Sequence, residues 1–422
     1  MATKSRIAEL SAIISTNTAI LDDYLTSNNL PHPSFDAATS PSPRYPPDAE
    51  AARVAIEEAT AELNELVQGP GRLLMGSQPA IFAAKAFISK FDIASFVPAE
   101  GTVSYASLAS KTRINQGAIE ALLRHAIAHR IFIEPTYGHV AHSAASKLLL
   151  NPQAVLAGKA FADDFFPMTA SIVPALATYP HADEPTQAAA AVANGVANQK
   201  SFYDMLADHP ERSKHFHETV AMAGTFPGLS WKYVVAGFDW ISLPPGSLCV
   251  DVGGGHGEAA FAVAKEFPHL KWVVQDTSKS FENRPQVPDG MQVEFVEHDF
   301  FQPSPETTNN AAVFFLRWIL HNWPDQYCHR IWRALIPSLR TGTKILVMEE
   351  LLPMPGSVPN AFERGLRSMD VGMVALGNGR ERDMEQWKRL FAEADGEGRF
   401  NFDAVLKPEG SQLVILQVTW KG

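Results

Sequence analysis

Apolar residues recur at helical spacing near the start of the chain, at Ile7, Leu10, Ile14, Ile20, Leu21 and Tyr24, and again from Ala49 to Val67. That period places each set on one face of a helix. Between them runs PHPSFDAATSPSPRYPP, whose prolines cannot join a helix interior and mark an extended connector. Residues 1–70 are therefore expected to form a two-helix arm that packs on something else, such as a second subunit. From Gly71 to Leu150 the pattern becomes a helix, SYASLASKT, INQGAIEALLRHAIAHR and then IFIEPTYGHVAHS, with a turn near Tyr137 and Gly138. Helix, turn, helix and hairpin in that order predict a winged-helix domain over 71–155. The stretch 152–240 is alanine-rich and reads as helices, with Phe202, Met205, Phe216, Met222 and Trp231 on apolar faces.

After Pro245 the pattern shifts to short apolar runs, SLCVDVGG, KWVVQD, QVEFVEHD, AAVFFLRWILH and TKILVMEELLP, each followed by a helical stretch or a turn. Near-continuous apolar strands separated by helices predict an α/β fold whose parallel sheet is buried on both faces. The chain closes with RFNFDAVLKPEGSQLVILQVTW, two strands joined by a Pro-Glu-Gly turn, hence an antiparallel hairpin at the sheet edge. Residues 156–422 are thus a helical linker followed by an α/β domain.

Composition narrows the function. A chain of 422 residues with 46% hydrophobic and 19% charged positions is ordinary for globular protein and long enough for two domains. A formal charge of −11 opposes binding a polyanion. The winged-helix segment carries eight Lys or Arg against four Asp or Glu, too mild an excess for a phosphate-tracking stripe, so a protein-protein role is expected there and no nucleic acid. Cys249 and Cys328 have no metal-ligand spacing and no disulfide framework. The start, MATKSRIAELSAIIST, lacks the apolar core of a secretory signal, and no apolar run approaches the ~20 residues of a membrane span. A cytoplasmic protein without membrane contact is expected.

VDVGGGHGEAAFAVAKEFP places Gly253, Gly255 and Gly257 between the first strand of the α/β domain and a helix, where glycines permit a tight turn and close approach of a ligand to the main chain. Asp276 ends the second strand about twenty residues on, the usual place of a carboxylate that binds ribose hydroxyls. Asp299, in EHDFF at the end of the third, can accept from an adenine amino group; either acid could instead be a solvated strand end or a helix cap. The turn reads GxGxG, with Asp251 inside the strand before it, and resembles the first motif of S-adenosylmethionine-dependent methyltransferases.

His321 ends the fourth strand and Glu349 the fifth. Neighbouring parallel strands lie ~4.8 Å apart, close enough for a carboxylate to fix the imidazole tautomer and stabilise the imidazolium. Glu381, in GRERD, is a second candidate carboxylate. By itself a strand-end histidine is also compatible with a structural role. Pro324 and Asp325 open a helix that Asn322 or Trp323 is expected to cap, and of the adjacent Glu349 and Glu350 one is expected to face solvent.

LRWILHNWPDQYC, VMEELLPMPG and GRERDMEQWKRLFAEADG resemble the successive motifs of the caffeic-acid-type plant and fungal O-methyltransferases, the fungal polyketide-modifying members above all. The resemblance runs nearly end to end. It implies His321 as general base flanked by Glu349 and Glu381, S-adenosyl-L-methionine as cofactor, no metal, and a homodimer formed through the N-terminal domain. It also implies that Asp251, Gly253, Gly255, Gly257, Asp276, Asp299, Phe300, Arg317 and Trp318 bind the cofactor, with the basic Arg317 near the adenine. Asn322 stands where plant members carry Asp. ERGLRSMDVGMVALGN matches the helix lining the acceptor pocket, so Met369, Asp370 and Met373, with Met222, are pocket candidates. The implied activity is methylation of an acidic, phenolic hydroxyl on a small aromatic metabolite. Fungal proteins of the same resemblance include pericyclases that keep the cofactor and transfer no methyl, and a regulator acting through the winged helix is the remaining alternative.

Overall fold

The computed structural model describes residues 5–39, 45–76, 79–224, 226–282 and 284–422; part of the proline connector, 40–44, lies outside them. Two compact units divide the chain: Met1–Phe166 with Lys214–Thr219 and Gly356–Gly365, and Pro167–Ser213 with Val220–Pro355 and Leu366–Gly422.

In the first unit the arm consists of helices Arg6–Ser27 and Pro47–Met75. Ser5 accepts from the amide of Ala8 and so satisfies one of the otherwise unpaired N–H groups at the first helix start. The second helix continues past Val67, bending where Gly69 takes φ 72° ahead of Pro70, because proline supplies no amide for the next turn. Leu10, Leu25, Ala49, Ala52 and Ala59 are buried along this pair, and Arg6 reaches across to Glu62 at 2.6 Å.

Strand β1 (Val103–Ser104) leads into helices Tyr105–Thr112 and Gln116–Ala128, and β2 (Ile133–Thr136) and β3 (His139–Ala141) follow in the predicted order. The three strands form one sheet ordered β1-β3-β2. Leu108, Ile119, Leu123, Phe132 and Val140 fill the space beneath it. Glu134 ties the hairpin together: it accepts two bonds from Arg124 and one from the Tyr105 hydroxyl, all at 2.9 Å, and one from the amide of Gly138 at 2.7 Å.

The second unit is built on a seven-stranded sheet ordered β6-β5-β4-β7-β8-β10-β9. Its strands are β4 (Leu248–Val252), β5 (Lys271–Asp276), β6 (Val293–Glu297), β7 (Val313–Arg317), β8 (Lys344–Glu349), β9 (Phe400–Leu406) and β10 (Val414–Trp420). The first five run parallel and β10 is antiparallel to both β8 and β9. Because successive strand residues point to opposite faces, Val250, Phe314, Leu316, Ile345 and Val347 pack against Ile331, Trp332, Trp387 and Phe391 on one side. Cys249, Phe315, Leu346 and Met348 pack against Val234, Trp240, Ala260 and Val263 on the other. Each fully buried side chain of this kind contributes ~1.5 to 3 kcal/mol. Strand β4 has β5 on one flank and β7 on the other, so the chain order reverses beside it and a crevice opens at the carboxyl ends, where ligands bind in such sheets. Among the described residues no helix is long and apolar enough to cross a membrane.

Hydrogen bonding, chiefly from Arg124, holds the Glu134 carboxyl well below its ordinary value, at about 2. The stability this adds is present above the unfolded carboxyl value and drains away as pH falls through about 2. Glu134→Ala is therefore expected to speed amide hydrogen exchange across 133–141 at pH 7, and acidification from about pH 4 to 2 should reproduce that loosening in the parent chain.

Candidate active site

The chain leaves β4 through Gly253, Gly255 and Gly257, with φ values of 70°, 54° and 82°. Only glycine adopts these angles without cost. A Cβ at Gly253 would lie 2.5 Å from Ile319, and one at Gly257 would lie 2.9 Å from the Phe295 ring. The turn is fastened to β5: Gly253 and Gly254 donate to the Gln275 carbonyl at 2.8 and 3.1 Å. The Asp276 carboxylate accepts from Gly255 at 2.9 Å and from Thr277 at 2.7 Å. Asp299 lies exposed two residues beyond β6 and accepts from the Phe301 amide at 2.9 Å. The Phe300 ring lies against Gly253.

Asp251 is buried, and its Oδ2 has no hydrogen-bond partner among the described residues. Burial, then Glu258 and Asp276, push its carboxyl up to about 8. Arg317 is likewise buried; its guanidinium donates to the Leu229 carbonyl at 2.5 Å and lies 3.9 Å from the Trp231 ring and 4.8 Å from that of Trp318. Burial lowers it to about 10 against the pull of Asp251 and Glu349.

A nucleoside cofactor fits this crevice. A carboxylate offers about four acceptor positions, so Asp276, with two used, retains acceptors for a ribose diol, and Asp299 can accept from an adenine amino group. Asp251 brings an unpartnered oxygen beneath a turn that has no side chains in the way.

Beyond β7 the backbone takes φ 54° at Trp318 and enters a single 3₁₀ turn, Leu320–Asn322. His321 therefore sits four residues past the strand instead of at its end, and its ring lies parallel to Trp318 at 6.5 Å. Glu349 does close β8, and its Oε1 accepts from the amides of Ile319 and Leu320 at 3.0 and 2.9 Å. Its Oε2 is 3.5 Å from His321 Nδ1, while Glu381 Oε1 is 2.7 Å from the same nitrogen. All three side chains are buried. Burial works against the imidazolium, and the charges of Glu349 and Glu381 outweigh it, raising His321 to about 9. Burial also pushes Glu349 and Glu350 up to about 7 each, and the negative charge of Glu381 adds to it. Glu350 is only 6% exposed, so neither glutamate of the pair faces solvent. The chain beyond β8 stays paired, with Leu351 bridged to Arg382.

The segment after helix Asn360–Gly377 completes the site. The Glu381 amide donates to Asp370 at 3.0 Å, so that acid anchors the backbone of its neighbour. Met373 is buried, Met222 half-buried and Met369 40% exposed. A Cβ at Gly379 would fall 2.2 Å from the His321 carbonyl oxygen, and one at Gly377 2.8 Å from that of Asn322. Gly377, Gly379 and Arg382 escaped the sequence reading, which took Asp325 only as a helix start, and only the glycines flanking Asn378 hinted at close backbone approach. The expected cap of helix Asp325–Leu335 is absent: Pro324 holds the cap position, and the Asn322 side-chain Nδ2 donates back to the Trp318 carbonyl at 3.0 Å.

A sheet of this order, with a glycine turn at the switch point, defines a class I methyltransferase fold, and here a histidine between two acids lies beyond the neighbouring strand. The chain belongs to the S-adenosylmethionine-dependent O-methyltransferase family of fungal secondary-metabolite enzymes. A profile of the O-methyltransferase domain matches residues 188–396. O-methyltransferase gsfB of Penicillium aethiopicum is 34% identical over 421 residues, covering 99% of both chains. Among solved structures, OxaC superposes with a TM-score of 0.78 at 16% identity, over 99% of this chain and 100% of that one. One described as a pericyclic reaction enzyme reaches 0.70 at 18% identity, over 97% and 99%.

Two outcomes follow from the geometry. Asp276→Asn should weaken S-adenosylhomocysteine binding about tenfold or more in calorimetry, as expected for loss of charge-assisted bonds. Gly379→Ala should cut turnover by about a hundredfold by displacing the His321 backbone, while cofactor affinity stays within about twofold.

Proposed function

We propose that this enzyme methylates a phenolic hydroxyl of an aromatic secondary metabolite, with His321 as general base. The observation that carries this reading is that both carboxylates face Nδ1, while Nε2 takes no hydrogen bond from the described residues. Glu381 then accepts the Nδ1 proton, which makes Nε2 the basic nitrogen. S-adenosylmethionine, when bound, supplies an electrophilic methyl group.

The acids change the energetics of proton removal. An ordinary imidazole, pKa ~6.5, would take a proton from a phenol, pKa ~10, at a cost of ~5 kcal/mol. With His321 raised to about 9, the gap shrinks to ~1.4 kcal/mol. An alkyl hydroxyl about as acidic as water, ~15.7, would still cost ~9 kcal/mol. The site is thus suited to an aromatic hydroxyl. Met222, Met369 and Met373 are read as flanking the acceptor, and their flexible thioethers suit flat apolar rings. Asp370 is read as supporting Glu381. The exposed apolar residues Leu66, Val67, Leu73, Leu74 and Met75 of the second arm helix support a homodimer formed through the N-terminal unit. Free, buried Cys249 and Cys328 are consistent with a cytoplasmic setting.

The likeness to a pericyclic reaction enzyme favours a second reading in which the cofactor stays intact. Against it stands the acid–base cluster, which pericyclic chemistry does not require. Incubation of the enzyme and phenolic polyketides with methyl-labelled cofactor separates the two: label should appear in product together with S-adenosylhomocysteine, and its absence would favour the second reading.

His321→Ala should retain cofactor binding and lose about 10²- to 10⁴-fold in kcat. Because the base must be neutral, kcat/KM should climb with pH up to about 9, then fall as the free phenol ionises near ~10. A profile flat between pH 6 and 9 would sink the base assignment.

A further inference from the structure

Arg382 lies one residue beyond Glu381 and is 1% exposed. Its Nη2 donates to Asp325 Oδ1 at 2.7 Å and to the Trp323 carbonyl at 3.0 Å, its Nη1 to the Leu320 carbonyl at 3.1 Å, and its Nε to Asp325 Oδ1 at 3.0 Å. Leu320 and Trp323 bracket His321 and Asn322 in sequence. One rigid guanidinium therefore grips the loop on both sides of the base, from the residue adjoining the acid. A planar fork fixes these directions together, which a lysine ammonium cannot do. The contact at Gly379 presses the two segments together, and Arg382 sets their register.

We propose that Arg382, backed by Asp325, is a positioning residue that holds the Glu381 carboxylate against His321 Nδ1 by locking the 379–383 segment to the 320–323 loop. It touches neither substrate nor cofactor and acts through the pair. The turnover part of the proposal rests on His321 being the base; the geometric part does not.

The charged groups facing His321 are Glu349 and Glu350 at the end of β8 and Glu381 on the 379–383 segment, and Arg382 and Asp325 stand behind them. Arg382→Lys keeps the charge and removes the fork, so a change in His321 titration reports geometry. The test uses the full chain carrying Arg382→Lys or Asp325→Asn, each with and without Glu381→Gln. The His321 imidazole is titrated by NMR, its signal assigned by loss in His321→Asn, and kcat, KM and thermal stability are measured alongside. Arg382→Lys should move the His321 midpoint down by about one on the pH scale and lower kcat about 10- to 100-fold with KM for the cofactor unchanged. In the Glu381→Gln background, Arg382→Lys should move the midpoint no further, because the path is already cut. A moved midpoint with unchanged turnover would uphold the positioning role and remove His321 from catalysis. A midpoint unmoved in folded protein, whatever the loss of turnover, would overturn the proposal. If Arg382→Lys does not fold, Asp325→Asn decides by the same criteria, since that carboxylate is one third exposed.

Discussion

The burial of one imidazole between two carboxylates is the constraint that the second unit is arranged around. Each such group taken from water alone would cost several kcal/mol, and loss of one partner would leave the others uncompensated. The attraction between charges ~4 Å apart is ~1 kcal/mol in water and rises to ~4 kcal/mol at the effective permittivity of a protein, so the cluster holds only with tight geometry and further hydrogen bonds. Those bonds come from the backbone. Glu349 is met by the amides of Ile319 and Leu320, and the backbone of Glu381 is fixed by Asp370. Parallel pairing of Arg317 with Met348 puts the loop carrying His321 within reach of the end of β8.

The same strand serves both halves of the site. Strand β7 delivers Arg317 to the face it shares with Trp231, and within four residues the chain presents His321 to the two glutamates. The positive φ of Trp318 accomplishes the change of direction. A non-glycine residue there costs of order 1 to 3 kcal/mol and persists only where its surroundings over-determine it. The surroundings are visible: the Arg317 guanidinium lies 4.8 Å from its indole, the imidazole of His321 lies parallel to it at 6.5 Å, and its carbonyl accepts from the Asn322 side chain. Strain at this position is the cost of turning the chain from Arg317 to His321 within four residues.

Much of the architecture was legible because strands buried on both faces read as unbroken apolar runs, and β4, β5, β7 and β8 do so. The glycine turn was legible because positive φ restricts the residues that can occupy it, and Asp276, read as a strand-end acid, closes β5 and accepts from Gly255 of that turn. From the residues alone His321 was visible as an isolated polar residue after an apolar run, its implied role came from the resemblance of LRWILHNWPDQYC, and its position past the strand depended on a backbone angle that spacing does not encode. Glu350 was misjudged because alternation assigns one of two neighbours to solvent, whereas the bridge from Leu351 to Arg382 keeps both inside. GRERD offered Glu381 as a candidate carboxylate, but nothing in the run marked Arg382 as buried. Its burial follows from long-range partners, Asp325 and the carbonyls of Leu320 and Trp323, that no local pattern displays.

The two glutamates divide the work unequally. Glu349 commits one oxygen to two amides and leaves the other 3.5 Å from Nδ1, so its first effect is to shape the turn and its second is electrostatic. Glu381 makes the short contact at 2.7 Å and so selects the tautomer. Two acids raise the imidazole further than one could, yet burial, and then repulsion from Glu381, push Glu349 toward its neutral form near 7. Basicity at His321 is thus bounded by how many carboxylates can stay ionised beside it. With His321 as the proposed base, that limit would match the site to an acidic hydroxyl: protons from phenols would lie within its reach, and those of alkyl alcohols would not.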